Sequence, residues 1–424
     1  MATHDSPALD VDAIREDFPI LDRKVGGDVT VPGPDENDDT PLYYLDNAAT
    51  SHTPKQVVEA MTEFYYEYNS NVHRGIHSLS QEASVAYEEA HDRAAEFVGA
   101  DGREEIVFTK NTTEAFNLVA YTWGLTELEP GENVVTTQME HHASLVTWQQ
   151  LCEKQGAEIR YVEIDDDGRL DMDDLREKVD DDTAMVSTVH VSNTLGTINP
   201  VSEITDIAHE HGALSFIDGA QAVPTRPVDV GAIDADFYAF SGHKMLGPTG
   251  IGVLYGKEHL LEELPPFLVG GAMIRRVEFG GSTWEDLPWK FEAGTPPIAE
   301  AVGLTAAIDY LEDVGMDAIE RHESELAAYA YDRLSEFDDV EIYGPREERG
   351  GLVGFNLEGV HAHDLSSILD DHGVAVRAGD HCTQPLHDVL GVPASTRASF
   401  YLYNRKEEID ELIDAVDTAR ELFA

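Results

Sequence analysis

The chain has 424 residues, with 83 Asp and Glu against 28 Lys and Arg, a formal net charge of −55, and 42% hydrophobic content. Repulsion excludes nucleic acid and other polyanions as partners, and the hydrophobic content excludes an acidic disordered chain. No apolar run is long enough to cross a bilayer and no charged-then-apolar leader opens the chain, so a cytoplasmic protein of two domains with no membrane partner is expected.

Along the chain, Met1 to Asp10 reads as a short polar tail and Asp10 to Asp17 as an N-terminal helix. Val25 to Thr40, with Gly, Pro and Asp, reads as an exposed loop. From Glu105 onward, strands alternate with helices. Strands are predicted at Glu105–Thr109, Asn133–Thr137, Ala157–Ile164, Ala184–His190, Ala213–Asp218, Asp236–Phe240 and Gly250–Tyr255, and helices at Thr113–Tyr121, Leu145–Gln155 and Val201–His211. The alternation argues for βαβ units and a mostly parallel sheet covered on both faces. Leu261 to Pro297, rich in Gly, Pro and aromatics, reads as an extended connection, followed by helices at Ile298–Val314 and Met316–Leu334. The remainder mixes strands and helices. The expected division is 1–45, an N-terminal segment packing on the small domain; 46–297, a large cofactor-binding domain; and 298–424, a small α+β domain.

The acid is spread through amphipathic segments rather than gathered in a tail, the pattern of adaptation to high salt, and a halophilic source is expected. Cys152 and Cys382 are too few for a disulfide framework, and no metal-type Cys/His cluster appears, so no metal site is expected.

Chemistry concentrates around Ser241-Gly242-His243-Lys244, directly after a predicted strand. A phosphate-binding P-loop would place its lysine after the glycines and before Ser or Thr; Lys244 comes before Gly247 and Gly250, so that reading fails. A lysine at a strand end, walled by glycines and a histidine, suits an amine nucleophile facing a carbonyl, although most lysines simply lie at the surface. Upstream, Asp218 ends an apolar strand, where a carboxylate can hold a pyridine nitrogen protonated, and Gln221 can reach the ring oxygen. Asp218 alone would more often be a helix cap; the pairing with Lys244 reverses that balance. Thr112 and Thr113 open a helix as a capping box and, compatibly, as an anion site. His141, in Glu140-His141-His142, offers a flat imidazole to a ring, though a histidine pair can equally be surface or metal-binding. Together these residues point to pyridoxal 5'-phosphate (PLP) held as a Schiff base on Lys244.

The segments Asp46-Asn47-Ala48-Ala49-Thr50, His141-His142, Asp218-Gly219-Ala220-Gln221 and Ser241-Gly242-His243-Lys244 resemble the class V aminotransferases, fold type I PLP enzymes. Asn71-Val72-His73-Arg74-Gly75-Ile76-His77, Gly270-Gly271-Ala272-Met273-Ile274, Phe291-Glu292-Ala293-Gly294-Thr295-Pro296 and Arg377-Ala378-Gly379-Asp380-His381-Cys382 are similar to the SufS-type (group II) cysteine desulfurases. The resemblance runs from about Ile14 to the C-terminus. It implies an α/β fold type I transferase, active as a homodimer. By the resemblance, Lys244 also moves the proton at substrate Cα, and His141 stacks on the cofactor ring. Thr112, Thr113, Ser241 and His243 bind its phosphate, with Thr295 donated by the other subunit. Asn193 lies beside the ring or the substrate carboxylate, Arg397 clamps that carboxylate, and Arg377 and His73 shape the site near the reactive cysteine.

Cys382 sits in a loop whose composition does not suit core packing, and an exposed thiol near His and Arg forms the nucleophilic thiolate. The implied reaction converts L-cysteine to L-alanine and leaves a persulfide on Cys382. The sulfur then passes to a SufE- or SufU-like carrier or a SufBCD-type scaffold for iron–sulfur cluster assembly. Two features depart from the family pattern near the thiol: Asp380 stands where a second histidine is usual, and Thr383 where alanine is usual. A carboxylate there is expected to raise the thiol pKa. Selenocysteine lyase, cysteine sulfinate desulfinase and class V transaminase are rival reactions on the same scaffold. A non-catalytic sulfur-trafficking subunit is the rival from another class.

Overall fold

The computed structural model describes residues 9–26, 39–73 and 75–423. Most of the predicted loop at 25–40 lies outside these residues; its ends, Lys24–Val25 and Thr40–Pro41, pair as a short antiparallel ribbon.

Seven strands form the main sheet: β1 (Ile106–Thr109), β2 (Asn133–Thr137), β3 (Glu158–Val162), β4 (Thr183–Val189), β5 (Leu214–Asp218), β6 (Phe237–Ser241) and β7 (Gly252–Gly256), in the order β1-β7-β6-β5-β4-β2-β3. Parallel pairing runs from β3 through β6, while β7 is antiparallel to both neighbours. β1, β2, β6 and β7 are buried at every position, as expected of strands covered on both faces. The α/β fold with a large, mostly parallel sheet is therefore as the sequence led us to expect.

Helix α1 (Lys55–Glu63) and the long α2 (Ser78–Val98) pack with α6 (Ile298–Val314) on one side of this sheet, sharing a core with Tyr238, Phe240 and Val253. On the other side, α3 (Thr112–Val119) and α4 (His142–Gln155) bury Phe116 and Trp148 against Phe216 and Phe237. Helix α5 (Val201–Glu210) packs on β4 and β5, and α7 (Met316–Leu334) leads out of the layer. A second sheet of four strands follows, built from β8 (Val340–Tyr343), β9 (Leu352–Leu357), β10 (Arg377–Gly379) and β11 (Ser395–Ser399) in the order β8-β9-β11-β10, with its own core around Phe355, Leu365 and Leu412.

The N-terminal helix, Val11–Arg15, lies at the junction of these layers. Ile14 and Phe18 join the core of α1, α2 and α6, while Arg15 donates to the Tyr403 carbonyl and to Glu408 at 2.8 and 2.7 Å. The connection 261–297 contains a hairpin, Ile274–Glu278 with Gly281–Trp284, that its composition did not reveal. Those strands are exposed along nearly their whole length, so no inward-outward alternation marks them. Among the described residues, no helix is long and apolar enough to cross a membrane.

The charge excess is visible on this scaffold as arginines shared among carboxylates. Arg93 meets Glu96, Asp309 and Glu312, and Arg103 meets Glu88 and Asp92. With 83 acids against 28 bases, carboxylates outnumber the cations about three to one. The screening length falls from ~10 Å at 0.1 M salt to ~3 Å at 1 M. Lowering salt from molar to about 50 mM is therefore expected to lower the melting temperature and then unfold the protein, followed by circular dichroism. An unchanged melting temperature in dilute buffer would contradict this.

Candidate active site

A cavity of ≈ 700 Å³ opens beyond the ends of β4, β5 and β6 and is closed from the other side by β10, β11 and the loop between them. It collects twelve of the predicted site residues: Thr112, Thr113, His141, Asn193, Asp218, Gln221, Ser241, His243, Lys244, Arg377, Cys382 and Arg397.

Lys244 ends a helical turn that follows β6, with its side chain reaching into the cavity. Burial lowers its amine to about 8, against the opposing pull of Asp218. Asp218 is the last residue of β5 and only 3% exposed; burial raises its pKa, while the Ala220 N–H donated to it at 2.9 Å and the nearby Lys244 pull it down. Gly219 must follow, because a Cβ there would lie 1.9 Å from the Tyr238 ring. Gln221 donates to the Ala48 carbonyl at 2.7 Å, which ties this wall to the Asp46–Ala49 segment.

The hydroxyl cluster is built at the start of α3. Asn111 caps the helix by accepting from the Glu114 N–H, and Ser241 bonds the Thr112 N–H at 3.0 Å and its hydroxyl at 2.8 Å. Gly252 permits this approach, since a Cβ would lie 2.6 Å from Asn111 Cα. A helix N-terminus with hydroxyls around it binds anions. His243 faces Thr50, its Nδ1 3.2 Å from the hydroxyl, and burial lowers its ring to about 4.

His141 caps α4 by accepting the Ala143 N–H on Nδ1 at 3.0 Å. Burial, and then the Lys244 charge, lower its pKa to about 4, so the ring is neutral with its proton on Nε2. Glu140, which the sequence left unassigned, lies buried behind it, accepting from Thr137 and from the Val189 N–H, and burial raises it to about 8.

Arg377 on β10 and Arg397 on β11 are directly opposed partners across the antiparallel pair. Like charges so placed repel. Asp46 resolves the conflict: it forms a parallel bridge to Ser399, accepts from Arg377 at 2.7 and 3.1 Å, and accepts from Arg397 at 3.3 Å. Arg397 also donates to the Asn193 carbonyl at 2.9 Å. Among the described residues lining the cavity, three buried side-chain atoms lack a hydrogen-bond partner: Arg397 Nε, Asn193 Oδ1 and His381 Nδ1. Asp46 belongs to a motif quoted from the sequence, but its role between the arginines was not legible there, because the strand pairing that opposes them is a tertiary fact.

Cys382 is exposed, whereas Cys152 is 2% exposed within α4. Lys244, Arg377 and Arg397 all lie within electrostatic reach of Cys382. His361 and His363, stacked at 5.1 Å, also line the cavity and were not singled out in the sequence; both sit at the start of a helix, where nothing in spacing distinguishes a rim from a cap.

Two predicted residues lie elsewhere. Within one chain His73 and Thr295 line a separate cavity of ≈ 410 Å³ with Trp289 and Glu292, so His73 is not placed beside the cysteine of its own chain. Its ring packs 4.5 Å from Trp289, and its backbone N–H donates to Ser84 at 2.8 Å.

Comparison with known proteins agrees with this architecture. A cysteine desulfurase of Haloferax volcanii is 70% identical over 426 residues, covering 100% of both chains. A probable cysteine desulfurase of Halobacterium salinarum is 65% identical, covering 100% of this chain and 99% of the relative. Among solved structures, the apo cysteine desulfurase of Thermococcus onnurineus superposes with a TM-score of 0.90 at 42% identity, covering 98% of each chain. The Escherichia coli cysteine desulfurase CsdA gives 0.89 at 37%, covering 99% of this chain and 100% of that one. The family pattern of aminotransferase class-V matches residues 43–412, and the chain belongs to the class-V aminotransferase family, with the fold type I architecture.

Proposed function

We propose that this protein is a PLP-dependent, SufS-type cysteine desulfurase acting in the cytoplasm. It takes sulfur from L-cysteine, releases L-alanine and carries the sulfur as a persulfide on Cys382. One observation carries the proposal: a single cavity joins the half-buried Lys244 and the buried Asp218 to an exposed thiol and to Arg397. The names and solved structures of the relatives point the same way.

The donor set fits PLP. An amine lowered to about 8, a buried carboxylate, hydroxyls at a helix N-terminus and a neutral imidazole match an aldehyde, a pyridine nitrogen, a phosphate and a ring face. Lys244 would hold the cofactor, with Asp218 at its ring nitrogen, Gln221 at its ring oxygen and His141 on its face. Thr112, Thr113, Ser241 and His243 would hold its phosphate. When bound, PLP supplies an electron sink for the pair left at substrate Cα.

The remaining steps belong to side chains of the chain itself. Arg397, with its partnerless Nε, receives the substrate carboxylate, assisted by Asn193. Lys244, once its amine is free, moves the proton at substrate Cα. Cys382 attacks the substrate sulfur, so that a sulfur–sulfur bond forms as the substrate Cβ–S bond breaks. Asp46 keeps Arg377 and Arg397 apart and aimed while this happens.

The same proposal divides the chain into 1–45, 46–297 and 298–424, with the last closing the cavity through Arg377, Cys382 and Arg397. It also makes the protein a homodimer in which Thr295 completes the phosphate site of the other subunit. Exposed Ile76, Val277 and Phe279 near the second cavity in sequence support an interface there. An exposed Cys382 suits delivery to a SufE- or SufU-like carrier or a SufBCD-type scaffold.

The test is turnover of L-cysteine, L-selenocysteine and L-cysteine sulfinate by the holoprotein in molar salt. The expected result is L-cysteine giving alanine and sulfide in equal amounts under reductant. Turnover of selenocysteine or sulfinate with none of cysteine would contradict the proposal.

A further inference from the structure

The loop carrying Cys382 turns through two consecutive non-glycine residues in the left-handed region, His381 at φ 50° and Cys382 at φ 59°. Side chains rarely adopt that conformation, and it persists only where the surroundings over-determine it. Here the hold can be traced bond by bond. The His381 carbonyl accepts from Asn193 at 2.8 Å, and the Cys382 carbonyl accepts from the His142 N–H at 2.8 Å. The Asp380 carbonyl accepts from both the N–H and the hydroxyl of Thr383, at 2.8 and 2.9 Å. Thr383 is fully buried, with its hydroxyl 2.9 Å from that of Thr194. The amide of Cys382 itself is held by the Asp380 carboxylate, which accepts it at 2.9 Å.

Burial alone would raise the Asp380 pKa, but hydrogen bonds from the Cys382 N–H and the Gln384 side chain outweigh it and keep the group ionised. Its charge is not the only one near the thiol, since Lys244, Arg377 and Arg397 also reach Cys382. In molar salt a surface charge is screened within ~3 Å, while a hydrogen bond is not.

We infer that Asp380 is a positioning residue for Cys382, fixing the left-handed turn through the cysteine N–H and acting as a hydrogen-bond acceptor rather than as a negative charge beside the thiol. The inference rests on the reading of Cys382 as the sulfur acceptor. It also accounts for Asp380 and Thr383 together: one side chain caps the turn and the other buries its far end.

The test compares Asp380→Asn, which keeps the acceptor oxygen and removes the charge, with Asp380→Ala, which removes both. Two readouts are taken on the holoprotein in molar salt: hydrogen exchange of the peptide spanning 380–384, by mass spectrometry, and turnover of L-cysteine. Asp380→Ala is expected to exchange roughly tenfold faster and to lose roughly tenfold in turnover, the scale of one lost hydrogen bond to a charged group. Asp380→Asn is expected to stay within about threefold of the parent in both. If either readout fails to separate the two variants, the inference is overturned. Exchange reports on the loop whether or not Cys382 accepts sulfur, so retained turnover in Cys382→Ala would remove the functional reading while the hold of Asp380 on the loop is still decided.

Discussion

Lys244→Ala is expected to reduce L-cysteine turnover by about 10⁴-fold or more, the largest loss of any single substitution, because one amine both anchors the cofactor and moves the Cα proton. The loss should come without loss of fold. Burial holds the amine at about 8, below the value of an exposed lysine. Since the unfolded chain then binds this proton more tightly than the folded one, the group destabilises the apoprotein below about pH 8, and stability rises as pH climbs from there toward the unfolded value. The apoprotein of Lys244→Ala should therefore melt no lower than the parent at pH 7. The same shift sets a pH signature for the parent. The neutral amine is the reactive form, so uptake of PLP by apoprotein, followed by absorbance, should accelerate up to about pH 8 and then level off. An exposed lysine would continue to accelerate beyond pH 10. A rate that climbs without levelling would show that the lysine is not held in this environment.

Cys382→Ala is expected to abolish sulfide and alanine production from L-cysteine, by about 10³-fold or more, while the bound PLP absorbance remains. The prediction discriminates because the other thiol supplies a control. Cys152 is 2% exposed, and burial raises its pKa to about 11, so it offers no thiolate. Cys152→Ala should turn over L-cysteine at the parental rate. Full activity in Cys382→Ala would refute the desulfurase reading and leave a class-V enzyme of another reaction, since Lys244 and Asp218 serve all of them equally.

Much of the fold was legible in the sequence because the strands are short apolar runs bounded by turn residues, and the helices between them carry ordinary helical spacing. Asn133–Thr137, Ile298–Val314 and Met316–Leu334 coincide with their predicted ranges. The hairpin at 274–284 was not legible, because its strands face solvent on both sides and carry no alternation. Within the site, Lys244, Asp218 and Thr112 were recognisable because each sits at or just past the end of a strand or at the start of a helix, where chemistry of that type is placed. Asp46 was not, because its task depends on Arg377 and Arg397 being opposed across two strands far from it in sequence. His73 was expected near the thiol, and its own chain places it beside Trp289 instead. Asp380 was read from sequence as an electrostatic burden on Cys382; the hydrogen bond to the Cys382 amide gives it a backbone role that composition cannot express.

The central claim is that sulfur leaves L-cysteine for Cys382. A single turnover of the holoprotein with one equivalent of L-cysteine, quenched with an alkylating agent and digested, tests it directly by mass spectrometry. The account predicts one added sulfur atom on the peptide containing Cys382, none on the peptide containing Cys152, and one alanine released per subunit. Alanine appearing with no added sulfur on Cys382 would contradict it.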